Sequence, residues 1–237
     1  MKKVEQEYIQ LKTMLASMCQ VTTSMLQDAT TALVTRDSTL ADSVIARDDE
    51  VDAFDTSIDK HCLKMLALYE PKAIDLRFVV AALRIIVDLE RVGDHCTKIA
   101  REVKKLNQSP PVKPYIDLPI MADAATVMIQ DVITAYFNKD AETAIEIIGR
   151  DDMIDQMDDK ITEELLGYMN TDPNNIRNII SLMFITRSIE RIADYATNIA
   201  EMICFMATGE IIKHRSPDRP GVLPVLQPET PGGVIDG

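Results

Sequence analysis

Among the acidic residues that stand four positions apart in this chain, four pairs fall at matching places in two repeats: Asp48 and Asp52, Glu90 and Asp94, Asp151 and Asp155, Glu190 and Asp194. On a helix that spacing puts both carboxylates on one face, a turn apart, where like charges repel by roughly a few tenths of a kcal/mol. No Lys or Arg occupies the fourth position after Asp48, Glu90, Asp151 or Glu190 to relieve them. If two such helices lie side by side, four carboxylates share one surface, and that cluster is strongly repulsive unless it is protonated or bridged by a cation. Oxygen-only ligation suits a hard cation such as Mg, Mn, Ca or ferric iron, and zinc also accepts carboxylates.

A single Glu-x-x-x-Asp is most simply the solvated side of an amphipathic helix. Here it recurs within a longer repeat. Leu89-Glu90-Arg91-Val92-Gly93-Asp94-His95-Cys96-Thr97-Lys98-Ile99-Ala100 returns as Ile189-Glu190-Arg191-Ile192-Ala193-Asp194-Tyr195-Ala196-Thr197-Asn198-Ile199-Ala200, offset by 100 residues. Arg47-Asp48-Asp49-Glu50-Val51-Asp52-Ala53-Phe54-Asp55 returns as Arg150-Asp151-Asp152-Met153-Ile154-Asp155-Gln156-Met157-Asp158, offset by 103. The chain therefore reads as two copies of one unit, each with two acid-bearing helices. The change in offset falls between the motifs, near Pro71 and Pro173.

Other chemistries fit less well. A ferritin-like di-iron bundle needs Glu-x-x-His on two helices, but Ile58, Val92 and Ile211 precede His61, His95 and His214 by three. His95 follows a motif Asp, yet its counterpart is Tyr195, which argues against a ligand role common to both copies. His61 is expected to be a partly buried polar side chain. There is no H-E-x-x-H, Walker loop, G-x-S-x-G or Gly-rich phosphate loop. The 38 acidic against 25 basic residues give a net charge of −13, a field that repels nucleic acid and attracts cations. Cys19, Cys62, Cys96 and Cys204 lack C-x-x-C spacing and sit among apolar neighbours, as buried reduced thiols do. Met1-Lys2-Lys3 leads directly into polar residues, and the apolar run from Phe78 to Val87 is interrupted by Arg84 and too short for a bilayer. A cytoplasmic protein with no direct membrane span is expected.

The elements that would carry these acids are helices throughout. Few Gly, no Trp and abundant Ala, Leu, Ile and Met favour helix over sheet. Periodicity predicts helices over about 4–36, 38–68, 71–106, 117–137, 140–169 and 173–208, with Pro71 in the first turn of the third and Gly209 ending the sixth. Apolar stripes run along the third (Ile85, Leu89, Val92, Cys96, Ile99, Val103) and sixth (Ile185, Ile189, Ile192, Ala196, Ile199, Ile203). The fold class expected is all-α, two pseudo-symmetric three-helix bundles: residues 1–107, then 115–209 after the linker Asn107 to Pro114. Residues 210–237, rich in Pro and Gly, are expected to be a disordered tail.

Over residues 4–209 these features resemble the PhoU family, regulators of bacterial phosphate uptake and of the phosphate-starvation response. The most specific elements are Arg187-Ser188-Ile189-Glu190-Arg191-Ile192-Ala193-Asp194 with Thr197-Asn198-Ile199, the sister copy from Leu89 to Asp94, and the Asp-x-x-x-Asp on the second helix of each unit. The resemblance implies two three-helix bundles and multinuclear metal clusters, iron or zinc first, with Mg or Mn as alternatives. The first cluster would use Asp48, Asp52, Glu90 and Asp94, the second Asp151, Asp155, Glu190 and Asp194, with Asp55, Asp158 and Asn198 as lesser candidates. It also implies a homodimer acting as a negative regulator, not an enzyme, on the transporter's ATPase subunit and a membrane sensor histidine kinase. Lys98 stands where the second copy has Asn198, which argues against equal occupancy of the two clusters. The rival readings are a carboxylate-bridged metalloenzyme, such as a phosphohydrolase or oxidase, and a metal or phosphate storage protein.

Overall fold

The computed structural model describes residues 2–171 and 173–209, and every long element in it is a helix. The tail expected from residue 210 onward lies outside the described residues. The helices are α1 (Lys2–Thr35), α2 (Ser38–Ala46), α3 (Asp48–Tyr69), α4 (Ala73–Leu106), α5 (Asp117–Asn138), α6 (Ala141–Thr171) and α7 (Ile176–Thr208). Asp37 caps α2 through its Oδ1, which accepts from the Thr39 and Leu40 amides at 2.8 and 3.0 Å. Gly209 closes α7 at φ 77°, its amide donating to Phe205 O at 2.7 Å.

Two boundaries depart from the sequence expectation. The helix expected over 38–68 is broken at Arg47 into α2 and α3, where the Arg47 and Glu50 amides donate three residues back instead of four. Three consecutive acids, Asp48, Asp49 and Glu50, suit a helix N-terminus; in the second copy Met153 replaces the third, and α6 runs unbroken through Arg150. Pro71 lies in the loop before α4, not in its first turn, with Lys72 extended ahead of Ala73. A short 3₁₀ turn, Pro173–Asn175, similarly precedes α7.

In the first half α1, α2, α3 and α4 pack together, and in the second α5, α6 and α7. The halves join along α4 against α7, with α1 and α5 beside them. Arg77 Nε donates to Met206 O at 2.7 Å and Ser181 Oγ to Glu102 Oε2 at 2.8 Å, so α4 and α7 run antiparallel. Their middles, which carry the repeated motif, therefore lie opposite each other, with the His95 and Tyr195 rings 5.8 Å apart. One contiguous apolar core spans both halves, including the two stripes expected on α4 and α7. Phe78 stacks on Tyr136 at 4.4 Å, and the Tyr136 hydroxyl donates to Phe78 O at 2.7 Å. Among the described helices α5 is long and apolar enough to cross a membrane by length and composition, but 56% of that stretch is buried within the bundle.

Candidate metal centres

The first copy's acids are brought together by α3 lying along α4. The approach is close because Gly93 on α4 has no side chain: a Cβ there would stand 3.2 and 3.3 Å from the two methyls of Val51 on α3. Thr97 of the motif reaches across, its hydroxyl 3.3 Å from Asp48 Oδ1. Burial pushes the Asp48 carboxyl up, the Thr97 hydroxyl opposes this, and the charges of Asp94 and Asp52 push it up further. Glu90 is raised by burial and then by Asp94, Asp52 and Asp55, so these five carboxylates share one field. Asp52, Asp55 and Glu90 line a cavity of about 270 Å³ with Thr56 and Val87. Asp55, a lesser candidate on sequence grounds, is thus as much a part of this site as Asp52.

In the second copy, α6 and α7 bring Asp155, Asp158, Glu190 and Asp194 into one field. Asp151 is half-buried on α6 at the position matching Asp48. Glu190 is 6% exposed, and its Oε2 has no hydrogen-bond partner. Burial and the Asp194 charge raise its carboxyl to about 7 in spite of Arg187 and Arg191. Those two arginines are the part of the site that reading the acids alone missed. Arg187 Nη1 donates to Glu190 Oε1 at 2.7 Å and lies 3.8 Å from Asp158; Arg191 Nη1 donates to Asp194 Oδ2 at 2.8 Å. The signal was available: Arg187 stands three residues before Glu190 on the same face.

Both copies also share an ion pair between helices. Arg47 Nη1 meets Asp28 Oδ2 at 2.7 Å, and Arg150 Nη1 meets Asp131 Oδ2 at 2.5 Å, the first tying the α2–α3 junction to α1 and the second tying α6 to α5. Among the described residues, neither His61 nor His95 hydrogen-bonds an acid of either cluster. His61 is buried, 3.0 Å from Glu7 O. His95 is held down to about 4 by burial and, next, by Lys98, so it is a neutral ring packed near Tyr195. The four cysteines are buried, and none is in a disulfide among the described residues.

The donor set fits a hard cation: oxygen only, mutually repulsive, with a buried carboxylate oxygen at Glu190 that accepts no hydrogen bond, Arg191 Nε standing 3.8 Å away. Among the described residues no three such side chains close into a ready coordination shell. Asp52 and Asp155 are exposed.

Duplicated helical bundles joined along one antiparallel helix pair, each with an acid face on two adjacent helices, define the structural class. The PhoU domain pattern matches residues 15–103 and again 118–203, and the chain belongs to the PhoU family. A phosphate-specific transport system accessory protein PhoU homolog of Aquifex aeolicus is 35% identical over 213 residues, 90% of this chain and 96% of that protein. The homolog of Caulobacter vibrioides is 34% identical over 217 residues, 91% of this chain and 94% of its own. Crystal structures of PhoU from Pseudomonas aeruginosa (TM-score 0.82, 30% identity, 87% of this chain and 99% of that one) and of the phosphate transport system regulatory protein PhoU from Streptococcus pneumoniae (0.81, 29%, 89% and 100%) share the fold.

Proposed function

We propose that this chain is a non-enzymatic regulatory accessory protein of a phosphate-transport system, and that its two carboxylate clusters hold cations that organise a docking surface. The observation that supports this reading best is the repetition of the acid face on equivalent helix pairs within a PhoU-family chain. Asp48, Asp52, Glu90 and Asp94, with Asp55 beside them, would hold one cluster; Asp151, Asp155, Glu190 and Asp194, with Asp158 beside them, the other. Iron or zinc is the first choice, with Mg or Mn as alternatives. The metal would supply positive charge that cancels carboxylate repulsion and leaves open positions for an anion. The chain's own residues set the surface: Gly93 lets α3 and α4 approach, and Thr97 holds Asp48. The partners would be the transporter's ATPase subunit and a membrane sensor kinase in the cytoplasm, with the chain acting as a homodimer that lowers uptake and signalling when phosphate is plentiful.

A deletion strain tests this. Cells lacking the protein should express phosphate-starvation genes in phosphate-rich medium, and wild-type protein should restore repression. Asp94→Lys with Asp194→Lys should restore it poorly, because a lysine displaces the cation without touching Ile85, Leu89 or Val92 in the core. Normal repression in the deletion strain would overturn the regulator reading. Metal-dependent phosphoester hydrolysis abolished by the double change would favour the metalloenzyme instead.

A further inference from the structure

The two clusters repeat the same acids but not the same counter-charges. In the second, two guanidinium groups thread the carboxylates together: Asp158 to Arg187 at 3.8 Å, Arg187 to Glu190 at 2.7 Å, Glu190 to Arg191 at 3.8 Å and Arg191 to Asp194 at 2.8 Å. In the first, Val87 stands where Arg187 would be and lines the cavity beside Asp52, Asp55 and Glu90. Arg91, the counterpart of Arg191, pairs elsewhere, 3.7 Å from Asp88 and over the Tyr195 ring at 5.9 Å on the seam between the halves, so that it and Arg101 act on Glu90 and Asp48 only through space. Among the described residues no Lys or Arg comes within ion-pairing distance of Asp52, Asp55 or Glu90. Lys98 does reach Asp94, at 3.4 Å, but both side chains are about half exposed, so water and salt screen the pair and the lysine is readily displaced.

We propose that Arg187 is an internal counter-ion that competes with cations for the second carboxylate cluster, so that the first cluster loads before the second. This rests on the cation-binding reading above. Arg187 takes the place a cation would occupy between Glu190 and Asp158. A planar guanidinium matched to a carboxylate is a strong local competitor, more so where that carboxylate is nine-tenths buried. The second cluster is nevertheless a site. Glu190 Oε2 is buried without a hydrogen-bond donor, and Arg187 is 54% exposed, free to swing into solvent when a cation arrives. The Lys98 substitution, which on sequence grounds argued against equal occupancy, is thus the smaller asymmetry; Arg187 facing Val87 is the larger one, and it favours the first cluster.

The test is a titration of EDTA-stripped full-length protein with Mn²⁺ alone, counting free ion by electron paramagnetic resonance. Wild type should show two classes, the tighter lost in Glu90→Ala and the weaker lost in Glu190→Ala. Arg187→Gln should tighten the weaker class by about tenfold or more, since it removes a full charge next to the ligands. Val87→Arg should weaken the tighter class by a similar factor. Arg187 and Val87 are both largely exposed, and unchanged helicity and melting in both variants would show that the fold is intact. Two equal classes that ignore both substitutions, or a tighter class that is lost in Glu190→Ala, would overturn the inference and leave cation binding standing. No Mn²⁺ bound by any variant would overturn cation binding itself.

Discussion

Gly93→Ala should lower stability, although alanine is the better helix former. Gly93 sits well inside α4, where the exchange by propensity alone should stabilise by about 1 kcal/mol. The added Cβ, however, would stand 3.2 Å from Val51 Cγ1, 3.3 Å from Cγ2 and 3.5 Å from Cβ. Val51 is 1% exposed, β-branched and held by α3, so it cannot turn away, and the two helices must part by a few tenths of an ångström. Overpacking of this kind costs about 1–3 kcal/mol. The net expectation is a loss of about 1 kcal/mol, or about 2–4 °C in Tm for a chain of this size. Urea denaturation followed by circular dichroism measures it. In Gly93→Ala with Val51→Ala the two methyl contacts are gone, so the double variant should be more stable than the sum of the single changes predicts by about 2 kcal/mol, the whole overpacking cost. Parting α3 from α4 also separates Asp48 and Asp52 from Glu90 and Asp94, so the tighter Mn²⁺ class should weaken while the other is unchanged. A gain of the full propensity value, or strict additivity in the double variant, would refute the close-approach argument.

Stability of the metal-free protein should fall as pH rises from about 4.5 to about 7, partly because of Glu190. Its folded pKa of about 7 lies above the ordinary 4.5, so the native state holds the proton more tightly than the unfolded chain across that window, and the penalty is complete only above it. The full shift corresponds to on the order of 3 kcal/mol. Because Glu190→Gln also loses its charged bond to Arg187, a gain of about 1–2 kcal/mol at pH 8 is expected, with a shallower pH slope; an unchanged slope would assign it to other acids. The thiols should be silent in the native state: all four cysteines are buried, and burial pushes Cys19 and Cys62 up to about 12. A thiol-reactive dye at pH 8 should label them at an appreciable rate only in denaturant, and rapid labelling of the folded protein would place at least one on the surface.

Helical periodicity and duplication alone determined the all-α class, most helix boundaries, the apolar stripes of α4 and α7, and the pairing of acids. Those properties are local: side chains three and four apart share a face whatever lies beyond them, and a short connection makes consecutive helices antiparallel neighbours. Family membership was legible for the same reason, since the motif from Glu90 to Thr97 combines a core stripe with an acid face in one continuous segment. What needed the tertiary structure was which charges meet. Arg91 and Arg191 are the same residue in the same motif, yet one is drawn to Asp88 and Tyr195 on the seam and the other to Asp194. Both arginines have an Asp three residues after them, but Arg91 also has Asp88 three residues before it where Arg191 has Ser188, and its side chain turns back to Asp88 and lies over Tyr195 of the facing helix. Packing likewise decided the break at Arg47, the single core shared by both halves, and the role of Gly93, which reads as a weak helix residue until Val51 is seen against it.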